Sequence, residues 1–258
     1  MGNISPFGTT WGDFSANSAN FMSGDGRMDN MITYKTPNFA GFNVYAQYSF
    51  DNNSAADNNP DADVTAHGTE DKSSVDRYYG LGATYKNSAL SLAFVVDSTN
   101  YSTDFYGSDV DDALTVSFGG SYDFGVVKPY LGVQYFDNAD YSTIGIVDSF
   151  TDGGADRGDG WAEGWAVTVG TDIPVFGGTA KFGVSYIDAD YESYAEGTDA
   201  FKGDFSAWAV SAGYQYSLSK RTSVYGALSY ASFEDKEDGA SSVKPSAVEA
   251  GLGLVHLF

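Results

Sequence analysis

The side chains of this chain that could do chemistry are mostly carboxylates. The run DNNSAADNNPDADVTAHGTED, residues 51–71, gathers carboxylates and amides, the hard oxygen ligands that suit Ca²⁺. It lacks the spacing of an EF-hand loop, so a solvated acidic loop is the simpler reading. Cysteine is absent, and the two histidines, His67 and His256, lie far apart. That excludes disulfides and thiolate sites and argues against a histidine-rich metal centre. No Ser-His-Asp set, Gly-rich phosphate loop or positioned carboxylate pair stands out. We therefore expect no cofactor, no bound metal and no enzymatic reaction.

The acid excess has consequences of its own. The net charge is −22, which argues against a nucleic-acid partner, since phosphate binding needs clustered Lys and Arg. Acidic chains can be disordered, but those are poor in aromatics; this one has 19 Tyr, 18 Phe and 4 Trp. No apolar run approaches the length of a membrane helix, and the first residues, MGNISPFGTTWGD, do not read as a signal peptide.

The elements that must carry these residues are strands. Alternation with period two recurs along the chain, and helical periodicity is hard to find. In 42–50 the apolar face is Phe42, Val44, Ala46, Tyr48 and Phe50; Asn43, Tyr45, Gln47 and Ser49 take the other. The same pattern marks 79–85, 90–96 and 114–122. Similar strands are expected near 27–35, 126–136, 162–173, 179–187, 206–217, 221–232 and 246–258. The total is eleven, each close to the length of a tilted strand crossing a bilayer.

The connections alternate in length. PNFAG (37–41), KNSA (86–89), FG (124–125), PVFGG (174–178) and LSKR (218–221) are short turns. The segments 51–76, 97–112, 137–160, 188–204 and 233–243 are long and polar, and hold 28 of the 35 acidic residues. Lys35, Lys86, Lys128, Lys220 and Arg221 mark the short-turn ends. An up-and-down barrel in an outer membrane has this layout. A soluble β-sandwich also alternates, but its open face would carry Lys, Glu, Thr and Arg, whereas the second face here is mostly Gly, Ser, Ala and Thr. Aromatics near both strand ends, such as Tyr85 and Tyr122 at one and Trp165 and Trp208 at the other, fit the two girdles of a membrane barrel.

With the apolar face toward lipid, parity turns Lys35, Tyr45, Gln47, Lys128, Gln134, Lys181, Arg221 and Glu249 toward a lumen, with Arg27, Asp29, Thr33, Asn43, Asp97, Tyr130 and Tyr225. Most of these would simply be solvated polar side chains.

Three stretches carry a family resemblance. GRMDNMITYKTPNFAGFNVYAQYSF (26–50) is similar to the paired strands that follow the pore loop of the Gram-negative general porins. YQYSLSKRTSVYGALSY (214–230) is similar to their penultimate hairpin, and GLGLVHLF to their terminal strand, with His256 third from the end and Phe258 last. The resemblance implies an antiparallel transmembrane β-barrel, an all-β fold, with eleven of sixteen strands in this chain. Residues 1–25 would be the inward-folded pore-constriction loop, and 26–258 the C-terminal part of a single-domain barrel. It also implies a chain that begins within the pore loop. Independently, eleven alternating strands put the first and last in parallel, while bacterial single-chain barrels close with an even, antiparallel number.

By the same resemblance, Asp13 and Asp25 would be the loop acids of the constriction, with Arg27 and Asp29 just after them, setting a field across the opening. The family often has an acid after the loop's proline; here Phe7 follows Pro6. His256 and Phe258 would form the signal read by the barrel-insertion machinery. The function implied is passive diffusion of ions and small hydrophilic solutes across the outer membrane. Cations would be favoured because the mouths are acidic. The implied surroundings are outer-membrane lipid and lipopolysaccharide, and the implied assembly is a homotrimer. Two alternatives from other classes are a barrel anchor or adhesin with no open pore, and a membrane-barrel enzyme. The enzyme would need a nucleophile–base pair that His256, on the lipid-facing parity, is badly placed to supply.

Overall fold

The computed structural model describes residues 5–7, 18–24, 28–50, 76–101, 111–150, 159–194, 201–239 and 241–257. Among the described residues, eleven strands form one sheet in chain order, each antiparallel to the next. They are β1 (Met31–Lys35), β2 (Phe42–Ser49), β3 (Arg77–Lys86), β4 (Leu90–Asn100), β5 (Ala113–Tyr122), β6 (Lys128–Asp140), β7 (Asp159–Val175), β8 (Gly178–Tyr194), β9 (Phe201–Ser217), β10 (Thr222–Glu237) and β11 (Ser246–His256). All eleven expected strands are present. The first begins at Met31 rather than at residue 27. β7, β8 and β9 run to 17 residues each, longer than a bilayer needs, so their upper ends stand beyond it.

The two faces differ as the alternation requires. One is open and apolar: Ile32, Leu81, Phe94, Phe182, Val210, Leu228 and Leu252 are all exposed on it. Rings cluster at both of its margins. Phe42 meets Tyr85, and Tyr122 meets Phe124, at 4.5 Å each on the short-turn side. Tyr48 meets Tyr79 at 5.1 Å, and Trp165–Tyr186 and Trp208–Tyr230 are both at 5.3 Å, on the long-loop side. An apolar band between two aromatic belts is a surface built for lipid.

The other face is covered over β6–β10, and there it differs from the polar wall that parity predicts. In the half of β6–β10 nearer the long loops it carries Phe136, Ala139, Ala162, Ala166, Ile187, Ala189, Phe205, Ala207, Ala231 and Phe233, all buried in one cluster. The cover is a stretch expected to be a polar outer loop. Within 137–160, residues Tyr141–Thr143 form a 3₁₀ turn and Gly145–Phe150 a short helix, α1. Ile144, Ile146 and Val147 are buried completely or nearly so. The cause lies in β6. Its register against β7 shifts between Phe136 and Ala139, and Asn138 sits at φ +50°, a left-handed conformation that Asn tolerates better than most residues. Such a bulge bends a strand, and here the chain leaves the wall toward the covered side.

Candidate functional site

The covered face also receives the N-terminal residues. Two anchors hold them, and each is set by strand parity. The first is a rung of direct register partners, Lys128, Asp172 and Lys181, on β6, β7 and β8. The Lys181 ammonium lies 2.9 and 3.0 Å from the two Asp172 oxygens and donates to the Pro6 carbonyl at 2.7 Å. Its three donor positions are thus matched by three oxygens. The Tyr130 hydroxyl donates to Asp172 Oδ2 at 2.9 Å. Lys181 is buried, so its charge is compensated by the carboxylate beside it rather than by water. Lys128 instead lies over the ring of Tyr130, 4.9 Å from its centroid.

The second anchor is Gln134, buried on β6. Its Oε1 accepts from the Ser23 amide at 2.7 Å, and its Nε2 donates to the Ser23 carbonyl at 2.8 Å and to Ser117 Oγ at 3.0 Å. One side-chain amide thus pairs both backbone groups of Ser23, as a neighbouring strand would. Ser23 Oγ lies 3.3 Å from Thr143 Oγ1.

Between the anchors the wall is cut back to glycine. A Cβ on Gly170 would stand 2.3 Å from Pro6 Cγ, one on Gly183 3.2 Å from Phe7 Cε2, and one on Gly132 3.2 Å from Met22 Cε. At Gly170 an N-terminal residue lies where a side chain would be, while a Cβ on Gly132 or Gly183 would first meet a wall neighbour, Thr168 Oγ1 or Ser211 Oγ, each at 2.8 Å. Phe7, Phe21 and Met22 are buried.

The remaining expected site residues are dispersed. On β1 and β2, Lys35 Nζ lies 5.0 Å from the centroid of the Tyr45 ring, and Gln47 Nε2 donates to Thr33 Oγ1 at 3.2 Å. Asp29 lies just ahead of β1, where its carbonyl accepts from Ser49 Oγ at 2.6 Å. Glu249 faces Ser229 across β10 and β11, at the other edge of the sheet from Lys35. Arg221 is exposed in the turn before β10. His256 is exposed on the open face, its Nδ1 2.9 Å from Thr222 Oγ1. Asp13, Asp25, Arg27 and Phe258 lie outside the described residues.

Sequence reasoning passed over Asp172 and the inward turn of 141–150. The parity of Ala162, Ala166, Thr168, Gly170 and Asp172, all small or polar and all even, was a usable signal for Asp172. For the inward turn the signal was Ile144, Ile146, Val147 and Phe150 inside an otherwise polar connection.

Two polar spaces flank these elements. A small one of about 110 Å³ is lined by Ser23, Tyr78, Asp97, Thr115, Asp140 and Thr143 among others. At the long-loop rim a cavity of about 920 Å³ is lined by eight carboxylates, with Lys202 among its other residues. Some of the acids at this rim are paired: Glu192 with Lys202 at 2.8 Å, Asp204 with Lys236 at 2.9 Å and Glu234 with Lys244 at 2.8 Å.

Comparison with known proteins agrees with this build. A family profile described as Gram-negative porin matches residues 1–236. An outer membrane porin protein of Bordetella pertussis is 31% identical over 281 residues, covering 100% of this chain and 65% of that protein. Outer membrane porin protein 32 of Delftia acidovorans is 28% identical over 242 residues, covering 90% of this chain and 57% of that one. Among solved structures, the anion-selective porin from Comamonas acidovorans matches with a TM-score of 0.57 and 25% identity, over 94% of this chain and 65% of that one. The in-vitro folded OmpT of Vibrio cholerae, at 16% identity and a TM-score of 0.53 over 96% of this chain and 70% of that one, shares the fold. This chain thus spans just under two thirds of the Bordetella and Comamonas proteins. With a lipid-facing sheet, an inner face that receives a folded segment and a profile match over most of its length, the chain belongs to the Gram-negative porin family and to the outer membrane.

Proposed function

We propose that this chain forms part of the wall and the constriction of a water-filled channel for passive diffusion of ions and small hydrophilic solutes. In this reading residues 1–25 are the constricting segment and 26–258 the barrel wall. One observation carries it: residues 5–7 and 20–23 lie against the inner face, fixed by Lys181 and Gln134. A barrel serving only as an anchor has no use for a segment held inside it. Lys35, Tyr45, Gln47, Lys128 and Glu249 would line the passage. Asp13, Asp25, Arg27 and Asp29 would set the field at its narrowest point. The assembly would be a homotrimer in outer-membrane lipid and lipopolysaccharide, inserted through recognition of the strand that ends in His256 and Phe258.

The test is a planar-bilayer recording of the protein purified from outer membranes. Stepwise conductance increments support the channel; a folded, inserted protein that gives none overturns it.

Selectivity is the finer part of the proposal. The acid-lined rim and the net charge of −22 would concentrate cations at the mouth, and pairing with Asp172 removes Lys181 from the cations offered to a passing anion. The similar Comamonas protein is named anion-selective, so the two channels would differ in sign. A cation-selective reversal potential under a KCl gradient upholds this reading, and an anion-selective one overturns it.

A further inference from the structure

We infer that the segment Tyr141–Phe150 is a positioning element for the channel, a seat that holds the constricting N-terminal segment at its place on the wall. The inference rests on the channel reading for its functional meaning and on three independent features of the structure.

The first is the docking of the segment itself. Ile144 and Ile146 have no exposed surface and Val147 has 1%. Phe150 stacks on Phe233 at 5.7 Å with planes 9° apart, and the Tyr141 ring lies 5.5 Å from Tyr191. The second is the socket. The inner positions of β7–β10 at this height include Ala162, Ala166, Ala189, Ala207, Ala209 and Ala231, all buried. A wall of alanines is pocketed enough to accept side chains from another element, and apolar enough that water would be a poor filling. Wall and segment are therefore complementary: alanines set among Phe136, Ile187, Phe205 and Phe233 leave space on the wall for Ile144, Ile146 and Val147.

The third is contact with the constricting residues. Ser23 Oγ and Thr143 Oγ1 are 3.3 Å apart. Gly145 presses on Asn20 so closely that an added Cβ would lie 3.1 Å from Asn20 Oδ1. Phe21 is buried in the same cluster as Ile144 and Ile146. Residues 20–23 are thus enclosed between Gly132 and Gln134 on one side and 143–145 on the other. Among the described N-terminal residues, the only regular structure is one 3₁₀ turn, Ser18–Phe21. Its position comes from what encloses it, so the width of the passage depends on the docking of 141–150.

Two variants test this in the outer-membrane protein. Ile146→Asp puts a carboxylate into the apolar socket and should undock the segment, while the strand ladders keep the wall intact. The unitary conductance should change by about half or more, because pore width governs conduction, and open-channel noise should rise. The second variant uses the absence of cysteine. Ser23→Cys with Thr143→Cys should form a disulfide on oxidation, read as a gel shift that reductant reverses. A folded Ile146→Asp protein with parental conductance and noise overturns the inference, and so does failure of the cysteine pair to cross-link. If the parent itself gives no conductance steps, the channel reading fails, and the cross-link alone decides whether the seat exists.

Discussion

Lys181 and Asp172 are register partners on adjacent strands, and both turn to the inner face, where the ammonium lies 2.9 Å from the carboxylate. The same ammonium holds the Pro6 carbonyl at 2.7 Å. One side chain therefore ties the wall to the segment folded against it. Its removal tests how much that tie contributes.

Lys181→Met leaves the part-buried Asp172 carboxylate beside Tyr130 without its cation. Breaking a buried pair from one side costs about 3–5 kcal/mol, whereas replacing both charges by apolar groups is often close to neutral. Lys181→Met should lower resistance to urea markedly. Adding Asp172→Leu should recover much of the loss. If the double variant is as unstable as the sum of the two single ones, the pair is not coupled as the geometry requires.

Gln134→Leu removes the partners of both backbone groups of Ser23 at once. A buried backbone donor or acceptor left unpaired costs about 1–3 kcal/mol. The expected result is faster hydrogen exchange at the Ser23 amide, with amides of the β6–β7 ladder unchanged. Unchanged protection at Ser23 would mean that the amide is satisfied elsewhere.

Gly170→Ala places a methyl 2.3 Å from Pro6 Cγ and 2.7 Å from the Phe182 carbonyl oxygen. The second neighbour is backbone and cannot swing aside, so the change should cost about 1–3 kcal/mol, as overpacking does. It should also loosen residues 5–7, read as cleavage of the N-terminal segment by added protease. Resistance equal to that of the parent would show that Pro6 does not rest on this glycine.

Leu228 and Phe176 separate lipid from water on the open face. Leu228 is mid-strand on β10 and 61% exposed, while Phe176 is at a turn and 89% exposed. A charge facing the bilayer midplane costs about 2–4 kcal/mol, falling to about 0–1 kcal/mol near the interface. Leu228→Arg should therefore impair folding into vesicles far more than Phe176→Arg. Equal effects would contradict the assignment of this face to lipid.

Much of the fold was legible in the residues. Phe42, Val44, Ala46 and Tyr48 alternate with Asn43, Tyr45 and Gln47, and β2 places them on opposite faces as written. The short turns, the girdles and the lipid-facing parity of His256 follow from the same period. Candidate site residues were less legible. Parity turned Lys128, Gln134 and Lys181 inward but could not say what each would meet. Gln134 meets a backbone 111 residues away in sequence, and Lys181 one 175 residues away.

Residue order was enough to fix the strands, their faces and the succession of turns and loops. A side chain's face in a strand depends only on its parity, which is local. The folded chain was needed to pair Asp172 with Lys181, to seat Pro6 against Gly170 and to turn 141–150 inward. Cross-strand register brings residues together that no local pattern links. The bulge at Phe136–Ala139 changes the direction of the chain at one left-handed residue, Asn138. Apolar side chains in a polar loop became a buried seat because the alanine wall left them a socket, and complementarity of that kind exists only between two parts of a folded chain.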